Sequence, residues 1–415
     1  MATTAATETR FNVGGILLRQ PFKIRRLGHF GFNSDHLDEC VHFYRDLLGF
    51  RVSDVMDFAR IVPDPAPFAG LGETRGYFMR YGTDHHAFVI FPRPVLEKLI
   101  EQASGRPPRP GVTVNQITWQ VGSLGEVGRA IRWFGELGLP IARLGRDMPG
   151  SNWHVYPLDP DGHTVELYYG MEQVGWDGYS KPLVMYDRHF DQAPPLPQIG
   201  EYAEVQQALE QGVDLHSGYR DVDTLPATYD VDGILLPRPF KITKIGPVSL
   251  FVADLTAAER FYRDTLGFIP TEEVTWQGQR CLFLRNNTEH HSLALYPLAL
   301  RERLGLSAHT TCMALGLQLA SYQQLRDARD FLRERGVPFV ETVPPALYPG
   351  IDYALHVQDP DGHCLQLYCQ MEQIGWDGRS RPAEQRRRVE PGVWPEALEP
   401  QSDTYQGEPF LGPWG

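Results

Sequence analysis

The sequence predicts an α+β protein made of two tandem domains, each built from paired βαβββ units that form a cupped mixed sheet. Three observations carry that prediction: a long internal repeat, alternation of strand and helix patterns within each copy, and a length of 415 residues, enough for two full cores. The repeat is explicit. GGILLRQPFKI at 14–24 returns as DGILLPRPFKI at 232–242, and HFYRDLLGF at 42–50 returns as RFYRDTLGF at 260–268. TDHHAFVIFP at 83–92 returns as TEHHSLALYP at 288–297, and DPDGHTVELYYGMEQVGWDG at 159–178 as DPDGHCLQLYCQMEQIGWDG at 359–378. The order is preserved, so a whole domain is duplicated.

Within the first copy, residues 25–33 read as a strand. Asp35 or Ser34 is positioned to cap a helix whose apolar residues Leu37, Val41, Tyr44 and Leu48 recur at helical spacing, and Gly49 ends it. Strand-like runs follow at 76–82 and 86–92. A second unit opens at 112–121, continues as a helix near 125–137 stopped by Gly138 and Pro140, and closes with strands at 152–159 and 163–170. The expected division is an N-terminal arm (1–24), a first domain (25–185), a linker (186–235), a second domain (236–380) and a tail (381–415) that wraps the surface or frays.

Composition narrows the function classes. A net charge of −13 without a basic stripe argues against nucleic acid or an anionic membrane as partner. No apolar run is long enough to span a bilayer, and the N-terminus has no secretory pattern. Five cysteines, an odd number with no CxxC pair, fit reduced thiols in the cytoplasm.

The paired βαβββ units, the helix ending in FYRDLLGF and the strand introduced by DPDGHTVELY resemble the vicinal oxygen chelate superfamily. The four-unit layout with its DHH-led strand is most similar to two-domain type I extradiol ring-cleaving dioxygenases. The resemblance implies a divalent metal, Fe(II) first and Mn(II) second, a catechol-like aromatic substrate with O2, and a homo-oligomer. It also implies a site in the first half. His29 on the first strand, Gln116 on the first strand of the second unit (Asn115 if the register slips by one) and Glu166 after the DPDG turn occupy the metal-ligand positions. His86, the second of the HH pair, matches a proton-transfer histidine, and Tyr156 matches a substrate-binding tyrosine. His154, two residues from Tyr156 and so on the same strand face, is an alternative third ligand or catalytic group. Two imidazoles and a carboxylate leave open positions for a chelating catecholate and O2. A glutamine in place of one imidazole suits redox-neutral glyoxalase- or epimerase-like members, and a non-catalytic binding protein is the third alternative.

The residues speak for Glu166 on their own terms. In HTVELYY it alternates with Val165 and Leu167, and a carboxylate within an apolar strand is costly to bury unless paired or metal-bound. The alternative is an ion pair or a solvated cup wall. Trp119, Trp153, Phe30 and Tyr168 are candidates to wall a cavity, or simply core residues. His163, beside the DPDG turn, reads as a turn residue. The segment 57–75 is longer than its counterpart and is expected at the entrance. In the second copy the candidate positions hold Pro247, Ala314, Gln366, Ala354 and His356, so one working site is expected, in the N-terminal half.

Overall fold

The computed structural model describes residues 10–398 apart from 63, 105–107, 187, 191, 375, 376, 388, 390 and 391. The beginning of the N-terminal arm, Trp376 of the second GWDG and the tail beyond 398 therefore lie outside the described residues.

Apart from a short hairpin of Phe11–Val13 with Ile16–Leu18, the first half forms one sheet. Its strands are β1 (Ile24–Ser34), β2 (Arg51–Asp57), β3 (Arg75–Arg80), β4 (Phe88–Pro92), β5 (Val114–Val121), β6 (Ile141–Arg146), β7 (Trp153–Pro157) and β8 (Val165–Tyr169). They lie in the order β6-β7-β8-β5-β1-β4-β3-β2, with Arg188–His189 adding a ninth strand beside β6. The two units meet where β1 runs antiparallel to β5. In each unit a helix, α1 (Leu37–His42) or α3 (Leu124–Glu136), follows the first strand, and α2 (Arg93–Ser104) joins the units. The second half repeats the plan with β9 (Ile242–Val252), β10 (Ile269–Trp276), β11 (Gln279–Arg285), β12 (Leu293–Pro297), β13 (Cys312–Leu319), β14 (Ala354–Gln358) and β15 (Cys364–Tyr368). Their order is β10-β11-β12-β9-β13-β15-β14, with α5 (Leu255–Arg260) and α6 (Tyr322–Glu334) as its helices.

Strand alternation sends Phe30, Ile117, Trp119, Val165 and Leu167 to one face, where they join Ile245, Val248, Leu250 and Leu317 of the second half in a single apolar cluster. The Trp119 and Phe268 rings meet at 4.9 Å across it. The halves are thus glued through their core-side faces, and each cup opens on the opposite side.

Two sequence expectations change here. Asp35 accepts no N–H of α1 and is held by Arg93 instead, while the Ser34 hydroxyl accepts from His36 N, just ahead of the helix, at 3.1 Å. The opening is served from the other half, where Asp361 accepts from the backbone N–H groups of Asp35 and His36 at 3.2 and 3.1 Å. Asp161 does the same for Ala253 at 2.9 Å. The exchange extends to the FYRD tyrosines: Tyr44 donates to Asp359 and Tyr262 to Asp159, each at 2.9 Å. His163 spans the seam, bonded to Asp159 at 2.8 Å and to Thr311 at 2.8 Å. The DPDGH turn present in both copies builds this interface.

The second change concerns the stretch expected as a linker. It carries α4 (Glu201–Glu210), and Glu204 forms a buried ion pair with Arg146 of β6, one of its bonds being 3.0 Å. The described part of the tail packs on the second half, where Trp394 stacks on Tyr322. Among the described residues no helix is long and apolar enough to cross a membrane.

Candidate active site in the N-terminal half

Four strands of the first half converge on one buried carboxylate. Glu166 on β8 lies level with Thr118 on β5, and Thr118 lies level with His29 on β1. Side chains directly across a ladder share a face, so the three meet. His29 Nε2 is 3.0 Å from Glu166 Oε2, and the Thr118 hydroxyl donates to the same oxygen at 2.9 Å. Asn152 donates its amide to Oε1 at 2.7 Å, and the Tyr156 hydroxyl of β7 also bonds Glu166. All five side chains are buried.

Burial alone would raise the Glu166 carboxyl. The opposing pull of His29, His154 and the Tyr156 hydroxyl wins and holds it at about 2, so the group is ionised. Burial, reinforced by Glu166, pushes the Tyr156 phenol well above its ordinary range and keeps it a donor. His86 enters from the start of β4 with its ring 4.3 Å from that of His29. Burial, then His29 and His85, push His86 well below the ordinary histidine range. It is therefore a neutral imidazole. Its Nδ1 faces Nδ1 of His85 at 3.0 Å; in the tautomer in which His86 donates across that contact, Nε2 is the atom that can take a proton.

Two glycines make room for these rings. A Cβ on Gly28 would sit 2.1 Å from the Tyr168 hydroxyl oxygen, and one on Gly150 would sit 2.8 Å from the His86 ring.

Of the residues expected in the site, His29, Glu166, Tyr156 and His86 come together. Gln116 does not. It lies level with Gly31, one ladder step beyond, and is only half-buried. The strand position level with His29 and Glu166 belongs to Thr118, because β-bulges at Leu27/His29 and Gly31/Phe32 shift the register. His154 shares the cup face but is directed to Asp147, with Nε2 3.2 Å from its carboxylate, and Asp147 is also bonded by Arg143. Of the four proposed wall residues only Tyr168 faces the cup, its ring 5.1 Å from His29. Phe30 and Trp119 lie in the shared core, and Trp153 alternates away from His154 and Tyr156. The 57–75 segment does reach the cup: Phe58 and Phe68 cluster with Phe78 and Phe91, and Phe78 lies 5.2 Å from His86.

Sequence reasoning missed Thr118, Asn152 and Asp147. Alternation along β5 already put Thr118 on the face of Gln116, but the bulges hid which of the two is level with His29. Asn152 and Asp147 lie in or beside the β6–β7 loop, where spacing gives no direction.

The donors available to a cation are His29 Nε2, Glu166 and the Thr118 hydroxyl. Among the described residues no three His, Cys, Asp or Glu side chains are grouped to hold a metal ion. A separation of 3.0 Å between His29 and Glu166 suits adjacent positions on one divalent ion, whose bonds to N and O are about 2.1 Å. The residues therefore fit two of the three places of a two-histidine, one-carboxylate site. The third holds a hydroxyl.

The matching place in the second half is closed to such chemistry. Level with Gln366 stands Gly316, and Gln366 bonds His356 at 3.0 Å. The cup itself is packed with Phe283, Tyr296, Met313, Leu347 and Ile351.

Cupped sheets of paired βαβββ units around such a site define a class, and the match is direct. The chain belongs to the Glyoxalase/Bleomycin resistance protein/Dioxygenase superfamily, whose model matches residues 26–167 and 244–367. Among curated relatives, it is 28% identical over 123 residues to 2,2',3-trihydroxybiphenyl dioxygenase of Sphingomonas paucimobilis, covering 30% of this chain and 40% of that one. It is 31% identical over 144 residues to biphenyl-2,3-diol 1,2-dioxygenase of Paraburkholderia xenovorans, covering 35% and 40%. The matched stretch thus spans about two fifths of each relative's length. Among solved structures, the 2,3-dioxygenase LapB of Pseudomonas sp. KL28 superposes with a TM-score of 0.53 at 15% identity, over 86% of this chain and 96% of that one. The Mn(II)-bound glyoxalase of Novosphingobium aromaticivorans gives 0.51 at 13%, over 86% of each.

Proposed function

We propose that the N-terminal half is an extradiol-type dioxygenase that cleaves a catechol-like aromatic ring with O2. The observation that carries this reading is the buried, ionised Glu166 beside His29, with neutral His86 and protonated Tyr156 around it. The names of the curated relatives support the substrate class. A divalent ion, iron first and manganese second, would be held by His29 and Glu166, with Thr118 at the third place. When bound, it would supply the Lewis acidity that gathers two adjacent phenolic oxygens and O2.

The side chains supply the rest. His86, uncharged and with Nε2 available, accepts the phenol proton as the substrate enters. Tyr156 donates to an oxygen of the substrate on which charge develops. Phe78 and the residues of the 57–75 segment exclude water from the side next to His86.

An oxygen-uptake assay over a catechol panel, with metal analysis of the same sample, tests this reading. Oxygen consumption with iron or manganese bound is the expected outcome. Glu166→Ala is expected to lose both metal and activity, whereas Gln366→Ala keeps both. Equal metal content in the two variants would overturn the one-site reading. The oxygen-rich donor set favours a second reading, a redox-neutral isomerase or lyase reaction of the glyoxalase kind, which predicts turnover of a carbonyl substrate with no oxygen consumed.

A further inference from the structure

The repeated PFKI segment has no part in the cup. It places Lys241 and Lys23 at matching points, each ammonium donating to a backbone carbonyl of the opposite half. Lys241 reaches Tyr81 O at 3.2 Å and Lys23 reaches Asn286 O at 3.3 Å. Their surroundings differ. Near Lys23 stand Arg25, whose guanidinium lies 3.7 Å from the carboxylate of Glu126, and Arg285, and the residue paired with Arg285 across the neighbouring strand is Ile269. Near Lys241 the residue paired with Arg80 is Arg51, and Arg238 stands where the first copy has Gln20.

Like charges directly opposite on antiparallel strands destabilise a sheet, and Arg51 and Arg80 are such a pair. With Arg238 and Lys241 they line a cavity of about 270 Å³ between the halves. Two carboxylates are close. Asp223 is paired with Arg238 at 3.0 Å, and Asp221 accepts from Val52 N at 3.2 Å and acts on Arg80. Four cations against two acids leave two positive charges unmatched. Among the described residues, no carboxylate lies within 4.0 Å of Arg51, Arg80 or Lys241. Arg80 Nε is buried without a hydrogen-bond partner. Burial, with Arg51, Arg80 and Arg238, pulls the Lys241 ammonium below its ordinary range.

We propose that this cavity binds a small phosphate-class dianion, clamped between Arg51 and Arg80 of the first half and Arg238 and Lys241 of the second. Guanidinium forks match the geometry of phosphate oxygens, and a dianion cancels the unmatched charge. The volume admits inorganic phosphate or a small phosphomonoester. This inference is independent of the chemistry in the cup.

Isothermal titration of the whole chain with inorganic phosphate, against chloride of equal ionic strength, tests it. Saturable binding of one phosphate per chain is expected. Losing a charge-assisted hydrogen bond predicts affinities at least about tenfold weaker in Arg51→Ile and in Lys241→Met. Arg60→Gln, a change at an exposed arginine outside the cavity, is expected to bind like the wild type. Arg51 is exposed and its counterpart is already isoleucine, so Arg51→Ile decides the matter if Lys241→Met does not fold. A parallel titration with glycerol 3-phosphate identifies the source, since tighter binding marks a phosphomonoester and weaker binding the free ion. No saturable phosphate binding in the millimolar range, or wild-type affinity in Arg51→Ile, would overturn the proposal.

Discussion

Glu166 already accepts hydrogen bonds from His29, Thr118, Asn152 and Tyr156, so an incoming cation must displace at least one of them. The weakest member of the set is Thr118, a neutral hydroxyl where a second imidazole would complete a facial triad. Thr118→His is therefore expected to tighten Fe(II) binding at least about tenfold, measured by competition with a chelator. Gln116→Ala, one ladder step away, is expected to leave it unchanged. The reverse result would restore Gln116 to the site. Four of the site residues were legible in the sequence because each sits beside a landmark: the first strand, the HH pair, or the DPDG turn. Thr118 was not, since register shifts between β1 and β5 alter the count between strands, and a sequence does not announce a bulge.

At the scale of elements, the Tyr44–Asp359 and Tyr262–Asp159 bonds tie the π-helical turn after each first helix to the acidic turn of the other half. Tyr44→Phe removes a buried donor to a carboxylate and is expected to cost about 1–3 kcal/mol, read from the urea midpoint. Gly28→Ala is expected to destabilise the first half and to weaken substrate binding as well, because its Cβ would displace Tyr168 from beside His29. An unchanged midpoint would show that the ring moves freely. Strands and helices near the middle of each copy were readable from their periodicity. The edge strand β2, the strand β6 (covered on its outer side only by the two residues Arg188–His189) and the joining helix α2 were not. Edge strands bury only one side or end irregularly, and the Pro94 that opens α2 reads equally well as a turn.

For the whole molecule, one apolar cluster continuous through both halves predicts a single cooperative heat-unfolding transition, with calorimetric and van't Hoff enthalpies in agreement. Two separated transitions would show that the halves fold independently. Acid sensitivity has a definable origin at Glu272. Burial favours its neutral form, but His290 and Arg386 prevail and hold the carboxyl at about 2 against an ordinary value of 4.5. A lowered folded-state value means that this stabilisation is complete above the ordinary range and fades as pH falls toward 2. Glu272→Gln is expected to lose about 1–2 kcal/mol at neutral pH after solvent screening, with its unfolding midpoint converging on that of the wild type near the acid limit. A constant gap across that window would rule out the ion pair as the cause.

The swapped turns, in which Asp361 serves the start of α1 and Asp161 serves Ala253, have a wider meaning. This seam has the reciprocity of a two-fold contact between identical subunits, yet both partners are encoded on one chain. In a symmetric pair every substitution appears twice, so neither cup can change alone. Covalent linkage lifts that restriction: one copy can trade its polar residues for packing while still holding its neighbour in shape. The filled second cup is then a support for the first, and mutations there are expected to be felt as losses of rigidity in a site they never touch.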